Sequence, residues 1–137
     1  YKNERYRWFG TAAALLDDAL NFIPARLAGV LMVVAAGLCG FDMKIAWRVF
    51  LRDRRRHESP NSAHTEAACA GALRVRLAGP AQYEGRMEDK PYLGDDLRPV
   101  ELEDIRRSHR LLFIVSILAF ALAVTARFII VSFCPIV

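Results

Sequence analysis

From Leu111 to Ala126 the chain carries no charged side chain, and after Arg127 it is apolar again from Phe128 to Val137. A helix rises about 1.5 Å per residue, so one that starts near Leu111 and stops near Pro135 covers a hydrocarbon core of roughly 30 Å. Arg127 then falls at the far interface, where its long stem lets the guanidinium reach the headgroups. A second uncharged run, Leu27 to Phe41, is shorter than the roughly 20 residues a spanning helix needs. Extending it back through Leu20, Phe22 and Ile23 adds length but takes in Arg26 and Pro24. Proline removes a backbone hydrogen bond, so a kink is predicted at Pro24. This segment reads as spanning or re-entrant. The fold class expected is mainly α: an integral membrane helical protein, two apolar helices and a largely helical polar loop. The single membrane domain divides into an amphipathic interfacial segment (1–26), an apolar helix (27–41), a polar cytoplasmic loop (42–110) and a transmembrane helix (111–134).

Charge is segregated from these runs. The chain is 54% hydrophobic and 25% charged, with a net charge of +4. Lys44, Arg48, Arg52 and Arg56 recur every four residues, hence along one helix face, with Ile45, Ala46, Val49 and Phe50 between them. Arg106, Arg107 and Arg110 precede the second run. Both loop edges are thus arginine-rich, which places the loop in the cytoplasm by the positive-inside rule and predicts contact with anionic membrane lipid. The same positions argue against nucleic acid as a partner, since a membrane edge already demands them. Cys39, Cys69 and Cys134 are widely spaced and imply neither a disulfide nor a metal site.

Inside the loop, Ser59-Pro60-Asn61-Ser62 reads as a turn leading to a helix N-cap, and a small-residue helix follows through Ala67–Ala72. Leu73-Arg74-Val75-Arg76-Leu77 alternates like a short strand. A last helix is expected from near Glu101, with Glu103 and Asp104 favoured by its dipole, running unbroken into the membrane. At the other end, Asp17, Asp18, Asn21 and Arg26 crowd the mouth of the first apolar run. The bland reading is a solvated interfacial helix; the functional one is the polar wall of a site at the membrane surface. There is no phosphate-binding loop, dinucleotide fingerprint, nucleophile elbow or zinc-protease motif.

Several blocks together resemble the adenosylcobinamide-phosphate synthase family of cobalamin biosynthesis (CobD/CbiB type). These are Tyr1–Gly10, Leu16-Asp17-Asp18, Asn21, Ile23–Leu27, Ser59-Pro60-Asn61, Glu66–Ala68, Ala70–Leu73, Val75–Leu77, Gly79-Pro80, Tyr83, Gly85, Lys90–Gly94 and Asp104–Arg107. The chain departs from the family pattern at Ala63-His64-Thr65, where Gly-Trp is usual, and at Arg74, where Gly is usual. With its first residue Tyr1, it reads as the carboxyl-terminal portion of such a protein, with the amino-terminal half of the same protein as a partner.

The resemblance implies an enzyme of the inner membrane, multi-pass, that performs an ATP-dependent amide ligation. It joins adenosylcobyric acid to aminopropanol phosphate or ethanolamine phosphate. ATP and a divalent cation such as Mg are the implied cofactors, and the corrinoid is a substrate. Other corrinoid-assembly proteins are further implied partners. By residue type and motif membership, Glu4, Asp17, Asp18 and Glu66 are candidates for proton transfer or a cation. Lys2, Arg5 and Arg26 are candidates for anionic groups, and Asn3, Ser59, Asn61 and Tyr83 for substrate hydrogen bonds. No metal-ligand set is assigned. The portion alone is expected to be inactive. The alternative is a non-enzymatic membrane sensor of the same superfamily, of the AmpE type.

Overall fold

The computed structural model describes residues 4–83 and 85–133 and is mainly helical. A 3-10 turn, Glu4–Tyr6, leads into α1 (Arg7–Leu20), and α2 (Phe22–Leu38) follows at an angle of 48°. The bend lies at Asn21 rather than at Pro24, where the kink was expected. Pro24 has no N–H for the Leu20 carbonyl, and its ring crowds that carbonyl, so the helix gives way one turn upstream. Pro24 itself then sits in the first turn of α2, where a missing N–H costs nothing.

The next three elements pack side by side. Asp42 caps α3 (Met43–Asp53), its carboxylate accepting the Ile45 N–H at 3.0 Å. Helix α3 runs back along α2, with Met43 near Gly37 and the Phe50 ring against Gly29. Helix α4 (Ala63–Leu73) then runs forward again, from His64 beside Gly29 to Arg74 paired with Asp42. Its Ala67, Ala68, Ala70 and Gly71 are buried. A Cβ on Gly71 would lie 2.8 Å from the Ala46 Cα and 2.9 Å from the Ile45 carbonyl oxygen, so the two backbones approach as closely as side chains allow.

The alternation after Leu73 does not make a strand there. Arg74 takes the left-handed conformation, φ 58°. Its N–H bonds to the Gly71 carbonyl, and the Val75 N–H bonds to that of Ala70, the paired closure of a Schellman motif. Alternation of five residues cannot be told from a helix end that buries Leu73 and Val75. The strands that do form are shorter. β1 (Leu77–Ala78) pairs antiparallel with β4 (Tyr92–Leu93), and β2 (Ala81–Tyr83) with β3 (Arg86–Glu88).

One buried carboxylate fastens this β region to α3. Asp53 is fully buried, held by both ends of the Arg52 guanidinium at 2.7 Å and by Arg56 at 3.1 Å. The Gly94 N–H donates to its Oδ2 at 2.9 Å. Gly94 has φ +85°, and a Cβ there would lie 2.3 Å from the Val75 carbonyl oxygen. The Lys90–Gly94 block is therefore an anchor. Arg48 and Arg52 also reach Asp95, at 3.2 and 2.6 Å. The basic face expected to meet lipid is thus largely spent on internal ion pairs; Lys44 is not among them.

Helix α5 (Glu103–Phe133) is unbroken over 31 residues, as expected. Leu111 and Val115 pack into the core with Met32, Val33, Ala35 and Ala36, and every residue from 119 to 133 is exposed. Among the described residues α5 alone is long and apolar enough to cross a membrane; α1 and α2 qualify only together, as one bent pair. Residues 27–38 of the first run lie in α2, packed against α3 and α4.

Two measurements probe this packing. Gly71→Leu should cost roughly 3 kcal/mol or prevent folding by driving α3 from α4, whereas Gly40→Ala, with open space around it but φ +77°, should cost about 1 kcal/mol. Burial favours the neutral form of Asp53, but the Arg52 hydrogen bond, the Gly94 N–H and the Arg52 and Arg56 charges outweigh it and hold the carboxyl below its usual range. Its contribution is therefore complete above the unfolded value near 4 and is lost as pH falls through the lower folded one. Asp53→Asn should cost about 3 kcal/mol at pH 7, and should flatten the acid limb of thermal unfolding curves.

Candidate functional site

The break between α1 and α2 leaves polar groups at its corner, and the turn before α4 supplies their partners. Ser59 Oγ donates to Asp18 Oδ1 at 2.9 Å. Asn61 Nδ2 donates to the Asp18 carbonyl at 2.8 Å and to Asp18 Oδ1 at 3.3 Å. Asn61 Oδ1 accepts from Arg26 Nη1 at 3.2 Å. The same nitrogen bonds the Phe22 carbonyl at 2.5 Å, and the guanidinium lies 3.3 Å above the Phe22 ring. Asn61 thus faces a carboxylate with its donors and a guanidinium with its acceptor, using both ends of one amide. Each of these four residues is half-buried.

Four candidates from two distant blocks, Asp18, Arg26, Ser59 and Asn61, are therefore brought together. The hydrogen bonds to the Asp18 carboxylate converge on Oδ1, leaving Oδ2 to take a proton or a cation. His64, the second residue of α4, is buried; burial first, and then the Arg26 charge, lower its pKa and keep it neutral at physiological pH. The remaining candidates are elsewhere or locally engaged. Asp17 accepts from Asn21 at 2.8 Å, Arg5 lies over the Tyr6 ring, and Glu66 lies 3.3 Å from His57. Lys2 and Asn3 lie outside the described residues, as do the side chains of Glu4 and Tyr83.

Beside this clasp opens a cleft of about 570 Å³, lined by Arg56, His57, Ser59, Ser62 and Lys90 together with acidic Glu58, Glu88 and Asp89. Ser59 belongs to both. Sequence reasoning did not find the cleft, because its walls come from two separate stretches, 56–62 and 88–91, with no shared spacing. Among the described residues no three acidic, His or Cys side chains gather into a metal cage. A magnesium ion carried on phosphates needs only one or two protein carboxylates, and Asp18 fits that demand.

The clasp is thus assembled from the very blocks on which the family resemblance rests, and direct comparison agrees. The CobD/CbiB protein family model matches residues 1–112. The chain belongs to the CobD/CbiB family. It is 46% identical over 129 residues to the cobalamin biosynthesis protein CobD of Desulfotalea psychrophila, covering 94% of this chain and 39% of that protein. Identity to CbiB of Salmonella typhimurium is 46% over 127 residues, 93% of this chain and 40% of that one. To CobD of Klebsiella pneumoniae it is 47% over 128 residues, again 93% and 40%. The chain thus spans about two fifths of the length of these CobD/CbiB relatives, and corresponds to their carboxyl-terminal part. No solved structure matches it.

Asn61→Ala strips the partners from Asp18 and Arg26 at once. It should cost about 2 kcal/mol, whereas Asp17→Asn and Glu66→Gln should each stay within about 0.5 kcal/mol, all read by thermal unfolding.

Proposed function

We propose that this chain forms the carboxyl-terminal part of an inner-membrane, multi-pass ligase of cobalamin biosynthesis. The reaction joins a propionate carboxylate of adenosylcobyric acid to the amine of aminopropanol phosphate or ethanolamine phosphate. The observation that carries the reading is the clasp of Asp18, Ser59, Asn61 and Arg26. Membrane residence is supported by α5 and by the bent pair α1 and α2.

A carboxylate resists attack by an amine until one of its oxygens becomes a leaving group; bound ATP and its divalent cation supply that activation. The chain's own residues hold charge and protons. Arg26, fixed by Phe22 and Asn61, offers its remaining N–H donors to a carboxylate or phosphate. Asp18, held in one orientation through Oδ1, presents Oδ2 to the substrate ammonium and takes the proton it must shed before the free amine attacks. Ser59 and Asn61 orient both charges and stop them from collapsing onto each other. The charge pair stays poised because the amide stands between them.

Asp18→Asn keeps the shape and removes the base. In the full-length protein it should lower ligation at least about 100-fold while shifting thermal stability little. The intact gene should restore growth of a ligase-deficient bacterium on adenosylcobyric acid, and the Asp18→Asn gene should not. Equal growth with both would reduce the clasp to a structural tie.

A further inference from the structure

At the end of the bundle opposite the clasp, a groove of about 850 Å³ opens where α2 turns into α3, α4 ends and α5 begins. Its apolar lining includes Phe41, Met43 and Leu73, and its basic lining is Lys44, Arg74, Arg98 and Arg107. Asp42 and Glu101 are the acidic lining residues, leaving an excess of positive charge. Arg74 is paired with Asp42. Arg98 and Arg107 share the buried Asp104 behind the wall, and both reach Glu101. Lys44 and Arg74 are exposed at the mouth.

Helix α5 acts as a ruler for depth. Its charge-free stretch starts at Leu111, and Arg107 lies one turn before it, about 6 Å along the axis. With 111 onward in hydrocarbon, the groove stands at the level of lipid headgroups. A lining of both apolar and cationic side chains at that level suits a molecule with one anionic end and one apolar end. We propose that this groove holds the headgroup phosphate of an anionic membrane lipid, with Lys44 and Arg74 as its cationic contacts. The site rests on α5 spanning the bilayer, as proposed above, but not on the ligation chemistry.

The pairing of Arg74 with Asp42 yields a test in both directions. Asp42→Asn keeps a capping side chain for α3 and frees the Arg74 guanidinium, so it should tighten binding. Lys44→Gln combined with Arg74→Gly removes two charges, and glycine suits the left-handed backbone at that position. The measurement is retention of phosphatidylglycerol against phosphatidylcholine by the full-length protein, by native mass spectrometry from mixed nanodiscs. The expected result is at least tenfold preference for phosphatidylglycerol, raised about threefold by Asp42→Asn and abolished by the double variant at unchanged unfolding temperature. Equal retention of the two lipids, or an unchanged preference in the double variant, overturns the site. So does displacement of the lipid by millimolar glycerol phosphate, which would mark a site for a free phosphate. A Phe120→Cys variant tests the spanning helix separately. If it is shielded from aqueous maleimide in vesicles, a negative lipid result counts against the groove alone; if it is labelled, the membrane reading itself fails.

Discussion

Helix α4 sits between α2 and α3 because its side chains stop at Cβ along the contact: Ala67, Ala68, Ala70 and Gly71 let three backbones share a space that larger residues would fill. Everything else hangs from that close approach. It fixes the turn before α4 against the corner of α1 and α2, which places Ser59 and Asn61 on Asp18. It fixes the end of α4 against the start of α3, which places Arg74 on Asp42. Dispersion between close-packed atoms is small per pair and large in sum, so such a core gains more from fit than from bulky side chains.

The fold was legible where composition ran long. The charge-free stretch from Leu111 gave α5 its length, and the acids Glu103 and Asp104 marked its start, because both signals act over several turns. The alanine-rich helix was also plain. Short signals misled: Leu73–Leu77 alternated as a strand does, but the left-handed turn at Arg74 decided the matter. The position of the bend was off by one turn, since proline acts on the carbonyl four residues before it. The basic face of α3 showed its spacing but not its partners, because Asp53 and Asp95 become neighbours of Arg52 only through tertiary packing.

The candidate site was half legible. Asp18, Arg26, Ser59 and Asn61 stood out as polar groups where apolar chain was expected or as members of a motif, yet nothing in their spacing said they would touch. If α2 crossed a bilayer as an isolated rod, the segments at its two ends would face opposite sides. The antiparallel return of α3 removes the conflict, for it carries the chain back alongside α2 to the corner where α2 began. The cleft with Arg56, His57 and Lys90 was invisible for the same reason, its walls being joined through tertiary contacts, Gly94 on Asp53 and Arg56 on the Tyr92 carbonyl.

The bend at Asn21 also has a mechanical meaning. Helix α1 has no buried residue, and its 14 residues make an arm of about 21 Å with its fulcrum at Asn21. A swing of about 10° would carry the far end some 3.6 Å but Asp18, about 4.5 Å from the fulcrum, only about 0.8 Å. Hydrogen bonds tolerate a few tenths of an ångström, but a shift of that size would break bonds of 2.8–2.9 Å, so the clasp limits the swing to a few degrees. The clasp therefore fixes the near end of α1, and any small swing about Asn21 is magnified at its far end, much as a hinge pin stays put while the door moves.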